Sequence, residues 1–339
     1  MKNRVKLKDI AMELGVSTAL VSYVINNRER EGRVGKEIAQ KIRETAKRLN
    51  YQPHYIARSL RNKKTNTIGL VVADISNPFF ANLARIIEDE ASRNNYTVII
   101  GSSDEDPGKM EKVLDFLTSR QVDGFIIVPT EGSYKTICSL KQNNIPFVLI
   151  DRCFENISTN YVIIDNFKAS LDAIQYLLGK GYKKVGVIAY KSTLSHFKDR
   201  VNGYRRALKN FAIEPDDNLI RKVNYYKLEH EIKKAISALI KKEKVEALYF
   251  ITNTLALEGL KCIFSMGIRI PDELDIMAFD HSEAYHFFQY PIPHINQPIR
   301  EMGIEAVKLL VDQIENKVKK INKIYLEASL EVEPSLKLA

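Results

Sequence analysis

Seven short apolar runs, each followed by a stretch with helical spacing, limit the folds open to this chain more than any other feature. They are IGLVVAD (68–74), TVIIG (97–101), GFIIVP (124–129), FVLID (147–151), VGVIA (185–189), ALYFI (247–251) and DIMAFD (275–280). Among the stretches between them are Phe80–Arg93, Ala169–Gly179, Arg200–Asn210, Glu229–Lys242 and Leu255–Met266, with apolar residues on one helical face. A run that is apolar at every position fits a strand covered on both sides. Strand–helix alternation then gives parallel sheets layered by helices. Seven or more strands over about 270 residues exceed one comfortable sheet, so two α/β subdomains are expected, divided near Asp165–Phe167. The helix Ile299–Lys317 and a final strand near Tyr325–Val332 are placed to cross back and make a hinge-like connection.

The amino end has another texture. Leu7 to Asn26, LKDIAMELGVSTALVSYVIN, reads as two short helices joined by a tight turn. Ala11 is small enough for a close helix crossing, Gly15 suits a left-handed helix end, and Ser17 stands where an N-cap belongs. This is a helix-turn-helix, whose second helix can lie in the major groove of DNA; an ordinary packing hairpin is the competing reading. A charged loop, NREREGR, leads to a third helix over about Lys36–Leu49, with Ile38, Ile42, Ala46 and Leu49 facing the first two. Pro53 stops it, and the basic segment Tyr55–Lys64 reads as a linker too short for a stable helix alone. Residues 1–66 hold sixteen Lys or Arg against six Asp or Glu, a balance of +10, whereas the rest of the chain holds 35 against 36. So polarised a charge points to a polyanionic partner and salt-sensitive binding.

In open parallel sheets ligands bind beyond the carboxyl ends of the strands. The residues there are Asp74, Asn77, Phe79, Phe80, Asp151, Arg152, Asn253 and Asp280, with Arg200 opening a helix and Gln297 where the chain crosses between subdomains. Asp, Asn, Gln and Arg can satisfy several hydroxyls in fixed directions, and Phe79 and Phe80 can pack on an apolar ring face. That set suits a small polyhydroxylated or heterocyclic ligand between subdomains. Each residue taken singly is equally at home as a cap, turn or core residue.

Other chemistries find little support. There is no G-x-G-x-x-G after the first run, no G-x-x-x-x-G-K-[ST] and no G-x-S-x-G, so neither an enzyme nor a cofactor is expected. Cys138, Cys153 and Cys262 lack metal-type spacing and read as reduced thiols. His281 and His286, five apart, do not match a helical metal pair, so no metal is expected. No apolar run approaches the ~20 residues of a membrane span, and none of signal-peptide length follows the basic amino end, so a cytoplasmic location is expected.

Over nearly its whole length the chain resembles the LacI-type bacterial transcription repressors. The matching segments are KDIAMELGVSTALVSYVIN, YQPHYIARSL, IGLVVADISNPFF, Asp151-Arg152, Asp165-Asn166, Arg200-Val201-Asn202-Gly203-Tyr204 and Phe279-Asp280, in that order. The resemblance implies a helix-turn-helix domain at 1–52, a hinge at 53–66 and an effector-binding and dimerisation domain at 67–339. That domain would be of the type I periplasmic-binding-protein kind, with an N-subdomain of about 67–166 plus 298–324 and a C-subdomain of about 167–297 plus 325–339. It further implies a homodimer on a pseudo-palindromic double-stranded operator, controlled by a small-molecule effector, most simply a sugar or sugar derivative. Thr18, Ala19 and Tyr23 fall on base-reading positions, Ser17 and Ser22 on phosphate-contact positions, and Asn26 is a further expected DNA-binding residue. Leu60, with Ala57 beside it, matches the leucine wedged into the minor groove. Asn77, Phe79, Phe80, Asp151, Arg200, Asn253, Asp280 and Gln297 fall on effector-contact positions. A nucleobase-type corepressor, or a plain sugar-binding protein with a basic docking end, are the alternatives.

The chain departs from the family pattern in several places. Lys6 replaces the Thr that usually caps the first helix, and Leu20 stands where Thr is common. The loop Asn27–Arg33 is about three residues longer than usual. Gly35, Ile38 and Ala39 replace a capping and phosphate-supporting set for which Arg28, Arg30 and Arg33 are the natural substitutes. Thr254 replaces an Asp after Asn253, and Glu333 an Arg near the carboxyl end.

Overall fold

The computed structural model describes residues 5–51, 64–288, 290–317 and 320–332. The chain divides into two compact units, residues 1–65 and 66–339.

In the first unit α1 spans Leu7–Leu14, α2 Thr18–Ile25 and α3 Lys36–Arg48. Gly15 ends α1 at φ +64°, a conformation that would cost a residue with a Cβ, and the Ser17 hydroxyl caps α2 by accepting the Leu20 N–H at 3.2 Å. Lys6 offers α1 no acceptor, but Asp9 supplies the missing half of the cap, its carboxylate accepting the Lys6 N–H at 2.7 Å. Ile10, Ala11, Val21, Val24, Ala39, Ile42 and Ala46 form the buried core. Ala39, one of the departures from the family pattern, therefore packs inward, and Leu20 is partly buried against the same cluster. Arg48 of α3 pairs with Glu13 of α1.

The second unit is built on two six-stranded sheets. The first lobe has strand order β11-β5-β4-β3-β1-β2, with β1 Thr67–Val72, β2 Thr97–Ser102, β3 Gly124–Ile127, β4 Phe147–Ile150, β5 Asn160–Ile164 and β11 Lys323–Leu326. The second lobe has order β12-β10-β9-β8-β6-β7, with β6 Val185–Tyr190, β7 Ile220–Val223, β8 Ala247–Phe250, β9 Asp275–Phe279, β10 His294–Asn296 and β12 Ser329–Glu331. Neighbouring strands run parallel except β10 and β12. Strands β3, β4, β6, β8 and β9 are buried along their whole length, which is why they read as continuous apolar runs.

Helices α4 (Pro78–Arg93), α5 (Pro107–Ser119), α6 (Tyr134–Gln142) and α11 (Ile299–Ile314) belong to the first lobe. Helices α7 (Asn166–Gly179), α8 (Ser195–Asn210), α9 (Leu228–Ala238) and α10 (Asn253–Ser265) belong to the second. The chain crosses between lobes three times, from β5 to α7, from β10 to α11 and from β11 to β12. The last crossing corrects one expectation. Tyr325–Val332 is not one strand: Tyr325 and Leu326 pair with Ile163 and Ile164 in the first lobe, and Ser329–Glu331 pairs with β10 in the second. Likewise α8 begins five residues before Arg200, which sits in its second turn. Helices α7 and α8 touch so closely that a Cβ on Gly203 would lie 2.4 Å from the Phe167 carbonyl oxygen.

Candidate functional site

A cleft opens between the two lobes at the carboxyl ends of both sheets. Asn77, Phe79, Phe80, Asp151, Arg200, Asn253, Asp280 and Gln297 all line it. Asp151 follows β4 and Asp280 follows β9, each in the left-handed region at φ +67° and +69°. Asp tolerates that conformation better than most residues, and here it ends a central strand in each lobe with a carboxylate at the cleft. Asn77 caps α4 by accepting the Phe79 N–H at 3.0 Å, and Pro78 opens the helix with its pre-set φ. Phe79 and Phe80 then stack edge to face, ring centres 5.0 Å apart.

Each buried charge is held by hydrogen bonds or ring contacts. The Arg200 guanidinium lies 3.4 Å from the centre of the Phe279 ring; its Nε donates to Asn166 Oδ1 at 2.8 Å and its Nη1 to the Ile251 carbonyl at 2.7 Å. Arg152 forks onto both oxygens of Glu105 at 2.7 and 2.8 Å and reaches Asp151 at 3.2 Å. Gln297 Nε2 donates to Asp280 Oδ1 at 2.5 Å, while its own Oε1 is buried without a partner among the described residues. Burial pushes the Asp151 carboxyl up to about 6, against the pull of Arg152 and Arg200. Burial raises Asp280 as well, opposed by Arg200 and Gln297. His196, buried near both arginines, is held well below the usual histidine range and is neutral, with Nδ1 unpartnered among the described residues.

Three groups of hydrogen bonds join the lobes across the cleft. Asn253 Nδ2 donates to Asn77 Oδ1 at 3.0 Å, and Asn77 Nδ2 reaches Thr254 Oγ1 at 3.4 Å. The Tyr225 hydroxyl donates to Asp74 at 3.1 Å. Glu131 accepts from the Ser192 hydroxyl and from the Thr193 N–H, both at 2.9 Å. Burial pushes Glu131 up, but the bonds from Thr193 and Ser192 outweigh it and keep the carboxyl below its ordinary range.

Glu105, Glu131, Tyr190, His196, Tyr225 and Thr252 also line the cleft and escaped the sequence reading. Glu105 and Glu131 lie three and four residues beyond the ends of β2 and β3, so the strand-end rule applied to every strand would have found them. Tyr225 follows β7, whose sequence IRKV does not announce a strand.

On the first unit Ser17, Thr18, Ala19 and Tyr23 are exposed, while Ser22 and Asn26 are half-buried. Asn26 Nδ2 donates to the Ser22 carbonyl at 2.7 Å, so that side chain folds back on its own helix. The long loop buttresses Tyr23: Gly32 lies so near that a Cβ there would come within 2.6 Å of the ring, and the Arg28 guanidinium lies 6.0 Å from its centre. Arg28 is paired with Glu31, and Arg43 of α3 with Glu29, so the loop is tied down by its own charges. Ala57 and Leu60 lie outside the described residues. No described helix is long and apolar enough to cross a membrane.

A basic helix-turn-helix unit joined to a two-lobed body with a polar cleft defines a DNA-binding regulator that carries its own ligand-binding domain. The comparisons agree. Residues 6–54 match the family described as bacterial regulatory proteins, lacI family, and residues 65–330 match the periplasmic binding proteins and sugar binding domain of LacI family. The chain belongs to the lacI family of transcriptional regulators. It is 31% identical over 316 residues to a probable HTH-type transcriptional regulator, EndR, of Paenibacillus polymyxa, covering 92% of this chain and 91% of that one. It is 32% identical over 312 residues to the ribose operon repressor of Halalkalibacterium halodurans, again covering 92% and 91%. Among solved structures, a LacI family regulator from Enterococcus faecium with bound ribose superposes with a TM-score of 0.70 at 26% identity, covering 79% of this chain and 98% of that one. The relatives named are regulators, not enzymes.

Proposed function

We propose that the chain is a homodimeric, cytoplasmic repressor that reads a pseudo-palindromic operator and is controlled by a neutral sugar bound between the lobes. The observation that carries the sugar reading is the charge and donor set of the cleft. Asp74, Glu105, Glu131, Asp151 and Asp280 outnumber Arg152, Arg200 and Lys191, and Lys191 is paired with Glu231. Such a cleft repels an anionic ligand and accepts hydrogen bonds from hydroxyls, favouring a free sugar over a sugar phosphate. The ribose held by the Enterococcus relative and the ribose operon repressor among the similar chains support a pentose-sized ligand. Asp151, Asp280 and Asn253 would orient the hydroxyls, Arg200 and Asn77 would donate, Gln297 would hold Asp280, and Phe79 and Phe80 would face the ring.

On DNA, Thr18, Ala19 and Tyr23 would meet base edges and Ser17 and Ser22 phosphates, with Asn26 holding the end of the helix. Leu60 and Ala57 of the two chains would enter the minor groove between half-sites. Exposed Ile99 and Ile100 on the edge strand β2 supply apolar surface for a second copy to cover. A thermal-shift screen of free sugars, sugar phosphates, nucleosides and nucleobases tests the ligand. Stabilisation by a free sugar, lost in Arg200→Ala, is expected, and stabilisation by nucleobases alone would refute the sugar reading. Gel-shift selection on randomised palindromes tests the operator: no preference over bulk DNA would refute sequence-specific binding. Leu60→Ser should lower specific affinity far more than non-specific affinity.

A further inference from the structure

His281, Glu283 and His286 stand together on the second lobe, away from the sugar cleft. His281 and His286 line a second cavity there, with Tyr285, His294 and Glu331. The sequence reading set His281 and His286 aside because five residues do not return to the same face of an α-helix. The structure has no α-helix there. His281 precedes a 3₁₀ turn, Glu283–Phe287, and one nitrogen of each imidazole and one Glu283 oxygen lie within 4.8 Å of one another. All three side chains are exposed.

What distinguishes this group from a chance surface cluster is the hydrogen-bond relay behind it. His294 is buried, and its Nδ1 lies 3.0 Å from the Ile292 carbonyl. A carbonyl only accepts, so the proton is on His294 Nδ1 and the Nε2 lone pair is free. That Nε2 lies 3.2 Å from His281 Nδ1, which must therefore carry its own proton. The relay leaves the lone pair of His281 on Nε2, the atom that faces Glu283 at 3.4 Å. A buried acceptor that orients the second nitrogen of an imidazole is the usual outer-shell support of a metal-ligating histidine. Ligands about 2.1 Å from a tetrahedral Zn²⁺ are themselves ~3.4 Å apart, the spacing His281 and Glu283 already have.

We propose that His281 Nε2, Glu283 and His286 form a site for a divalent first-row transition ion such as Zn²⁺, with water completing the shell and His294 as its positioning residue. Two imidazoles and one carboxylate match the borderline character of Zn²⁺ and Co²⁺ and disfavour Mg²⁺ and Ca²⁺. His281 directly follows Asp280, and His294 lies in β10, three residues before Gln297. An ion here would therefore brace two segments that also form the sugar cleft.

The test is titration of the tag-free, full-length protein with Co²⁺, followed by its visible absorption, and with Zn²⁺ by calorimetry. One ion per chain is expected, with the d–d bands of a four- or five-coordinate centre. His286→Ala and Glu283→Gln, both at exposed positions, should each weaken binding at least tenfold, whereas His230→Ala on α9 should leave it unchanged. His294→Gln, which breaks the relay without removing a ligand, should cost about 10- to 100-fold. Absence of Co²⁺ uptake at large molar excess, or equal uptake by His286→Ala and Glu283→Gln, would overturn the proposal.

Discussion

Asp151→Asn tests the electrostatics of the cleft on a scale the structure sets. An ordinary aspartate titrates at 3.8, and burial raises Asp151 to about 6. The folded state thus binds this proton more tightly than the unfolded chain does, so the penalty is absent at low pH and grows as pH rises from 3.8 through 6. At 1.36 kcal/mol per unit, the ionised side chain costs the fold about 3 kcal/mol at pH 8 and about half that at pH 5. The neutral amide of the variant would carry no such penalty. Losing the contact to Arg152 offsets part of the gain, but Arg152 keeps its two bonds to Glu105. Relative to the parent, the variant should gain on the order of 1 kcal/mol between pH 5 and pH 8, or roughly 2–4 °C in melting temperature for a body of this size. Thermal unfolding of both proteins by circular dichroism across that range measures it. Parallel pH profiles would refute the claim that Asp151 is held ionised at a cost, and a variant that loses stability as pH rises would reverse its sign.

Four shorter tests address the rest of the molecule. Gly203→Ala should destabilise by about 3 kcal/mol or more, because the new methyl meets the Phe167 carbonyl and neither helix backbone can yield; a melting temperature within a degree of the parent would refute this. Ser17→Ala removes the cap of α2 and should cost about 1 kcal/mol in the first unit, seen as faster amide exchange in α2 with the second unit unaffected. Tyr225→Phe deletes the bond to Asp74, worth about 1 kcal/mol, and should shift small-angle scattering toward wider lobe separation; an unchanged profile counts against that bond as a clasp. Operator affinity should fall steeply with salt, each phosphate contact adding ~0.9 to the slope of log affinity against log salt, and Arg30→Ala should reduce that slope if the long loop reaches the backbone.

The features legible in the sequence were those set by short-range rules. Gly15 and Ser17 fixed the turn of the helix-turn-helix because a left-handed helix end and an N-cap are local requirements. The central strands stood out because parallel strands are covered on both faces. Strands β5, β7 and β10 did not: β7 carries Arg221 and Lys222 at a sheet edge, and β10 is three residues long. The split of the last strand between lobes was hidden because apolar patterning records burial, not which sheet does the burying. All ten cleft residues named from the sequence line the cleft, most of them because the strand ends they follow converge by topology. Their partners were not legible. That Arg152 binds Glu105, 47 residues away, or that Tyr225 reaches Asp74 across 151, depends on how loops fold back. The histidine cluster was lost for a related reason: a helical template was applied to a segment that forms a 3₁₀ turn.

The cross-lobe bonds explain how occupancy of the cleft can be communicated. A ligand shifts an equilibrium between lobe arrangements only by as much as its affinities for the two differ. Asn77 and Asn253 bond to each other and also line the cleft. A ligand that takes either amide must therefore replace a lobe–lobe bond or bridge it, so its binding energy depends on lobe separation. The Glu131 and Tyr225 contacts hold the lobes by bonds of their own. Each such bond is worth about 1 kcal/mol, so two or three of them amount to the 1–3 kcal/mol over which allosteric coupling usually operates. Within the second unit, then, the groups that select the ligand and the groups that set lobe spacing are in part the same groups. That identity is the physical basis on which a small molecule bound there can shift the lobe arrangement of the second unit.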